Sequence, residues 1–181
     1  SAEELCLAAK VFEHAGEGIL VTDAQGHIVN VNRAFTVITG YAREEVMGQT
    51  PRLLESDRYD DEFYQTVWQA LREHDYWHGE LWCRRKNGSQ FAALLTISAV
   101  ADMQGQIEHY AAMFSDITAL KENQQQLERV AHYDLLTGLP NRLLLGDRLK
   151  QAIRQTRRRG MHLAVVFIDL DGFKKVNDQH G

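Results

Sequence analysis

The sequence predicts an α+β domain, a five-stranded antiparallel sheet with short helices over one face, followed by a linker helix and the opening of a second, α/β unit. Three observations predict it. Two short apolar stretches face each other across "DAQG", residues 23–26, whose polar residues and glycine suit a tight hairpin turn. From Tyr76 onward the apolar period changes from helical to alternating, and the chain doubles back at "KNG" and again at "DMQG". Behind these strands, residues 117–131 carry a narrow apolar seam on an otherwise polar helix.

Composition narrows the class of molecule. The chain has 181 residues and is 44% hydrophobic, enough to bury one large core or one and a half small ones. A net charge of -5 argues against nucleic acid as the main partner, which would call for a basic face. No run approaches the roughly 18 apolar residues of a membrane span, and the N-terminus lacks the layout of a signal peptide. The opening "SAEEL" reads as a cut inside a longer chain, so upstream sensors or a membrane anchor are compatible with it. Cys6 and Cys83 lie far apart and form neither a disulfide framework nor a metal knuckle, which points to a reducing cytoplasm. Of the eight histidines only His74 and His78 stand at an HxxxH spacing, and they straddle the end of the helix over 60–73 and the strand from Tyr76, so a histidine metal site has little support.

In chain order, residues 2–14 read as a short amphipathic helix with Leu5, Ala8, Ala9 and Phe12 at helical spacing. The "GILVTDAQGHIVNVN" hairpin follows, then short helical pieces between 32 and 56 broken at Gly40, Gly48 and Pro51. A longer helix over 60–73 places Phe63, Val67, Ala70 and Leu71 on one face. Next come "YWHGELWCRRKNGSQFAALLTISAV" as two antiparallel strands and "GQIEHYAAMFSDI" as a third. Asp116 or Thr118 caps a helix in which Ile117, Leu120, Gln124, Leu127 and Ala131 alternate at three and four. That is about two heptads, too short to stand alone but suited to a dimer stalk; packing on its own domain is the alternative. A helix from near Pro140 to Gly160 precedes "MHLAVVFIDL", a near-continuous apolar run of the kind buried on both faces of a central sheet.

Residues 11–132 resemble a PAS domain, through "VFEHAGEGILVTDAQGHIVNVNRAFTVITGYAREEVMGQ", the strand pair at "KNG", and "FSDIT" leading into a helix. Residues 133–181 resemble the opening of a GGDEF domain, through "YDLLTGLPNR" and "FIDLDGFKKVND". The form "AHYDLLTGLPNR" also resembles proteins in which an EAL phosphodiesterase domain follows. The resulting division is a helix over 1–14, a PAS sensor over 15–116, a coiled-coil-like signalling helix over 117–133, and the front of a GGDEF domain over 134–181.

The GGDEF resemblance implies cyclic di-GMP synthesis from two GTP, with Mg²⁺ neutralising phosphate charge. It places the metal at Asp169, assisted by the carbonyl of Leu170. It places the GTP phosphates at Gly172, Phe173 and Lys174, and guanine at Asn177. The remaining catalytic residues would lie downstream of Gly181, so the fragment is expected to be inactive and partly unfolded or packed through a non-native contact.

The PAS resemblance implies a cavity between sheet and helices, here expected near Phe63, Val67, Trp77, Leu81, Cys83, Ala93 and Leu95. Flavin is disfavoured: Pro51 stands where light-sensing relatives place a cysteine, and Cys83 and Ala93 stand where they place asparagines. Each amide lost would leave a buried polar group unpaired, at about 1–3 kcal/mol. Haem is disfavoured because 60–73 holds no histidine, and His74 reads as a solvent-facing helix end. An empty, packed interior is expected, with a small apolar or carboxylate ligand as the alternative. Trp77 and Trp82, an odd number apart, should face opposite sides of the sheet.

Function then reads as a sensory, homodimerising PAS module whose stalk, through Asp116, Thr118, Leu120 and Leu127, passes a signal to a GGDEF cyclase. The alternatives are a degenerate GTP-binding GGDEF regulating an EAL phosphodiesterase, and a ligand-free dimerisation module. A histidine kinase fails because "YDLLTGLPNR", and no phosphoacceptor motif, follows the stalk.

Overall fold

The computed structural model describes residues 1–180. Five strands form one antiparallel sheet in the order β2-β1-β5-β4-β3: β1 Gly18–Asp23, β2 Ile28–Val31, β3 Tyr76–Arg84, β4 Gln90–Ala101 and β5 Ile107–Asp116. All three hairpins turn on the same device, an Asx side chain that accepts backbone N–H bonds inside the turn. Asp23 accepts from Gln25 and His27, Asp102 from Gln104 and Gln106, and Asn87 from Ser89. These bonds hold the Asp23 carboxyl below the usual carboxylate range, His27 contributing most.

Helices α1 (Ala2–His14), α2 (Arg33–Thr39), α3 (Arg43–Val46) and α4 (Asp61–His74) flank the sheet, with a 3-10 turn at Pro51–Leu54. Pro51 therefore opens a turn rather than only breaking one. The core lies between the inward sheet face (Leu20, Leu81, Phe91, Ala93, Phe114) and Phe35, Val46, Val67 and Leu71 from the helices. Gly18 allows the sheet to close on it, because a Cβ there would collide with the Phe114 ring.

Asn32 ties the first helix to this core. Buried to 1% exposure, its Oδ1 accepts from the N–H of Ile19 and of Phe35, and its Nδ2 donates to the carbonyls of Phe12 and Glu17. One amide thus caps α2 and pins both the end of α1 and the entry to β1. The apolar side of α1 is not buried by this: Leu5, Leu7 and Val11 are exposed and only Phe12 is half-buried.

The chain divides into two compact units, residues 1–124 and 125–181, with α5 (Thr118–His132) running from the first into the second. Leu120 and Leu127 on its seam are exposed, so this helix does not bury its apolar side against the domain it leaves. In the second unit, α6 (Arg142–Arg159) starts at the Asn141 cap and stops at Gly160 in left-handed conformation, as the sequence predicts. α7 (Phe173–His180) follows.

The strand expected at residues 161–170 is absent. This stretch has no regular structure and is exposed throughout, with Phe167 at 91% and Ile168 at 87%. A doubly buried strand exists only between neighbours, and every strand among the described residues belongs to the sheet of the first unit.

Candidate functional site

A cavity of about 390 Å³ lies between the inward face of the sheet and the helices. The interior is therefore not the filled one expected from sequence. Of the expected lining residues, Val67, Leu81, Cys83, Ala93 and Leu95 are in place. Phe63 and Trp77 are not. Phe63 stacks on Tyr59 at 4.3 Å between centroids, and the Trp77 ring lies over Gly79, where a Cβ would meet it at 2.9 Å. The inward face of α4 keeps Val67 and Leu71 of the expected one and takes Tyr64 and Trp68 in place of Phe63 and Ala70. Tyr64, Val67, Trp68 and Leu71 are the i, i+3, i+4, i+7 stripe of α4 that faces the cavity, a spacing present in the sequence. Trp82 points to the other sheet face, under the Arg58 guanidinium at 3.9 Å.

Three titratable groups of the cavity are perturbed by burial. It pushes the Cys83 thiol up to about 12 and the Tyr64 hydroxyl up to about 12, and it raises the Glu55 carboxyl above its usual range. Cys83 is thus a neutral thiol, inert as a nucleophile. Glu55 is held near it by a backbone bridge between the two residues, and Tyr64 spans to the backbone of Ser56. Arg52 reaches Glu55 at 3.6 Å and Asp61 at 3.7 Å. Arg52 and Glu55 flank the Leu53–Leu54 pair and Tyr64 follows Phe63, and no local pattern marks Arg52 or Glu55 as cavity residues or prefers Tyr64 to Phe63.

Two of the expected relay residues, Asp116 and Thr118, meet at the end of β5. Burial would raise the Asp116 carboxyl, but hydrogen bonds from Thr118 and Arg85 outweigh it and hold the group below the usual carboxylate range. Its Oδ1 accepts from the N–H (3.0 Å) and hydroxyl (2.5 Å) of Thr118, and its Oδ2 pairs with Arg85 Nη2 at 2.6 Å. The Thr118 hydroxyl in turn accepts from the N–H of Ala92 on β4. Arg85 also donates to the carbonyl of Ile38 at the end of α2 and lies over the Phe91 ring. Lys121, a turn further along α5, pairs with Glu80 on β3. Sheet, α2 and the start of α5 are therefore joined through one carboxylate. Leu120 and Leu127 lie beyond this junction, exposed on the same helix.

In the second unit, Asp134 accepts from the hydroxyl and N–H of Thr137 and from the N–H of Leu136; the Thr137 hydroxyl contributes most to keeping its carboxyl below the usual range. Asn141 joins the two helices that flank this turn: Oδ1 accepts from Leu144 N–H, and Nδ2 donates to Ala131 at the end of α5. Asp169, Leu170, Gly172, Phe173, Lys174 and Asn177 are all exposed, on the turn before α7 and along its first turns. Gly172 takes a left-handed φ of 73°, which a glycine adopts without strain. Among the described residues Asp169 bonds only to the N–H of Leu170, and no three acidic, histidine or cysteine side chains cluster to hold a metal. These residues alone do not fit an Mg²⁺ site.

A five-stranded sheet with helices closing one face over a cavity, and an acid clamped where the last strand becomes a helix, defines a class. The chain belongs to the PAS domain family, which matches residues 16–119, and part of a diguanylate cyclase, GGDEF domain follows at residues 131–181. It is 35% identical to the nitrogen fixation regulatory protein of Klebsiella oxytoca over 131 residues, 72% of this chain and 26% of that protein. It is 31% identical to the cyclic di-GMP phosphodiesterase PdeR of Escherichia coli (strain K12) over 179 residues, 98% of this chain and 27% of PdeR. The chain therefore spans about a quarter of these relatives. Among solved structures, an RNA-binding light-oxygen-voltage receptor matches with a TM-score of 0.64 at 28% identity, over 72% of this chain and 38% of that one. Among the described residues no helix is long and apolar enough to cross a membrane.

Proposed function

We propose that this chain is a sensory, homodimerising PAS module that passes a signal along α5 to a GGDEF domain in cyclic di-GMP signalling, and that residues 1–181 do not themselves make cyclic di-GMP. The observation that carries the reading is the junction at Asp116. It fastens the end of β5 and the β3–β4 hairpin to the first turn of α5, so a strain set up in the cavity wall has a short route to that helix. The exposed seam at Leu120 and Leu127 supports a partner helix, and a second copy supplies an identical one. Joining two GTP molecules needs two nucleotide sites face to face, so the geometry of a paired stalk can set the rate.

Asp169 and Leu170 for Mg²⁺, and Gly172, Phe173, Lys174 and Asn177 for GTP, are the positions we assign to a complete GGDEF domain. We assign no flavin or haem to the cavity: Pro51, Cys83 and Ala93 line it at the positions where flavin-binding relatives carry a cysteine and two asparagines. A second reading, in which the GGDEF part regulates a phosphodiesterase, is favoured by the similarity to PdeR along almost the whole chain.

Sedimentation tests the stalk. The wild type should be a dimer, and the Leu120→Lys/Leu127→Lys variant a monomer with unchanged tryptophan emission. A monomeric wild type would remove the basis for transmission by pairing. Incubation with GTP and Mg²⁺ should give no cyclic di-GMP; product would overturn the inactive reading. The purified protein should show no visible absorption band, and a flavin or haem band would overturn the cofactor assignment.

A further inference from the structure

We propose that the cavity of the PAS unit takes an uncharged, largely apolar ligand whose one hydrogen-bond donor is accepted by Glu55, and that it excludes anionic ligands, carboxylates among them. The proposal rests on reading the cavity as the sensing site, and it adds the chemistry of what is sensed.

The walls fix most of this. Leu20, Leu81, Phe91, Leu95, Ile97 and Phe114 give an apolar surface with aromatic rings on it, suited to flat or branched hydrocarbon. At about 390 Å³ the space is near the small end of ligand cavities, which run from roughly 300 to 1,000 Å³. A ligand of up to three rings fits that volume.

The polar side of the cavity decides the charge. Arg52 is its one cationic lining residue, set against two acids, Glu55 and Asp61. Arg52 is already shared between them, at 3.6 and 3.7 Å. An anion would have to draw Arg52 away from both acids and then remain beside the half-buried Glu55 carboxylate, while Arg52 and Asp61 themselves stand in solvent at the mouth. The Tyr64 hydroxyl is engaged with the backbone of Ser56, and Cys83 is a neutral thiol, so neither compensates an incoming negative charge. Glu55 has the opposite need. Its nearest cation stands beyond hydrogen-bond distance, and burial disfavours its charged form, so a donor from a ligand is what it lacks.

Two fluorescent probes with one aromatic body separate charge from shape: N-phenylnaphthylamine, uncharged with a single N–H donor, and its sulfonate, anilinonaphthalene sulfonate. Titrated into the full chain, the amine should bind saturably at one per chain, and the sulfonate at least about tenfold more weakly. Glu55→Gln/Asp61→Asn should close that gap by strengthening the sulfonate and weakening the amine. Ala93→Phe should abolish amine binding by filling the cavity floor. Ile97→Phe repeats that test nearer the sheet end, and tryptophan emission reports whether each variant is folded. Equal or tighter sulfonate binding would overturn the charge selection while leaving the cavity as a ligand site. Binding of the amine that survives both fillings in folded protein would place it elsewhere and sink the sensing reading as well.

Discussion

Strand β4, "QFAALLTISAVA", and residues 161–170, "MHLAVVFIDL", are near-equals in apolar content and lie in opposite environments. β4 pairs along its length with β3 on one side and β5 on the other, and Phe91, Ala92 and Ala93 are buried. Among the described residues, 161–170 have no pairing strand and are exposed throughout. The helix just before them forms all the same, because its Asn141 cap and Gly160 stop are local and need no distant partner. A strand is a request for neighbours, whereas a capped helix largely specifies itself. Cutting into each region in turn should therefore give very different results.

All three tryptophans, Trp68, Trp77 and Trp82, lie in the first unit, so their emission follows its unfolding alone. Phe91→Ala should cost that unit about 4 kcal/mol in urea unfolding, the usual loss for a fully buried phenylalanine. Phe167→Ala, the matching truncation in the exposed run, should change it by less than about 0.5 kcal/mol. Comparable losses from the two would mean that residues 161–170 are packed in solution, and the contrast would fail.

Asn32→Ala should come next, at about 2–3 kcal/mol, because it removes the partners of partly buried backbone groups of Ile19, Phe12 and Glu17 as well as the buried cap on α2. Amide exchange sharpens the result. Protection lost at α1 and β1 together would identify Asn32 as the tie between them, and loss at α2 alone would reduce it to an ordinary cap.

Asp116→Asn should cost about 2 kcal/mol at neutral pH, the scale of charge-assisted hydrogen bonds lost to Arg85 and Thr118. The sign with pH follows from the lowered carboxyl. The stabilisation is present above the unfolded carboxylate value of 3.8 and is lost as pH falls through the still lower folded value. Wild type should therefore weaken at acid pH more steeply than the variant. Parallel acid profiles would show that Asp116 does not hold the junction.

Much of this architecture is legible in the sequence. The hairpins at "DAQG", "KNG" and "DMQG" are readable because Asx turns and glycines act within a few residues. The cavity's sheet wall is readable from alternation, which places Leu81, Cys83, Ala93 and Leu95 on one face. Its helix wall is not, since Phe63 and Tyr64 are adjacent aromatics and only packing decides which turns inward. Glu55 and Arg52 enter the cavity through the bridge between Glu55 and Cys83, a long-range pairing with no local trace. Void volume is equally invisible in sequence, because it is what the side chains fail to fill. The run at 161–170 reads as what it would become among neighbours, and pattern alone does not say whether they are there.

The smallest effect tests the self-sufficient side of the comparison. Asn141→Ala removes the cap from α6 and the side-chain bond back to Ala131, and should cost about 1 kcal/mol of local helix stability. Tryptophan emission should not move, since the first unit contains none of these partners. Far-ultraviolet circular dichroism should lose helix content, and Asn141→Asp should restore the cap without restoring the donor to Ala131. If Asp recovers the full signal, α6 depends on its cap alone and its formation is local. If only Asn does, the corner between α5 and α6 is held by the amide as a unit, and a movement of α5 is passed on through Asn141 rather than lost in a flexible joint.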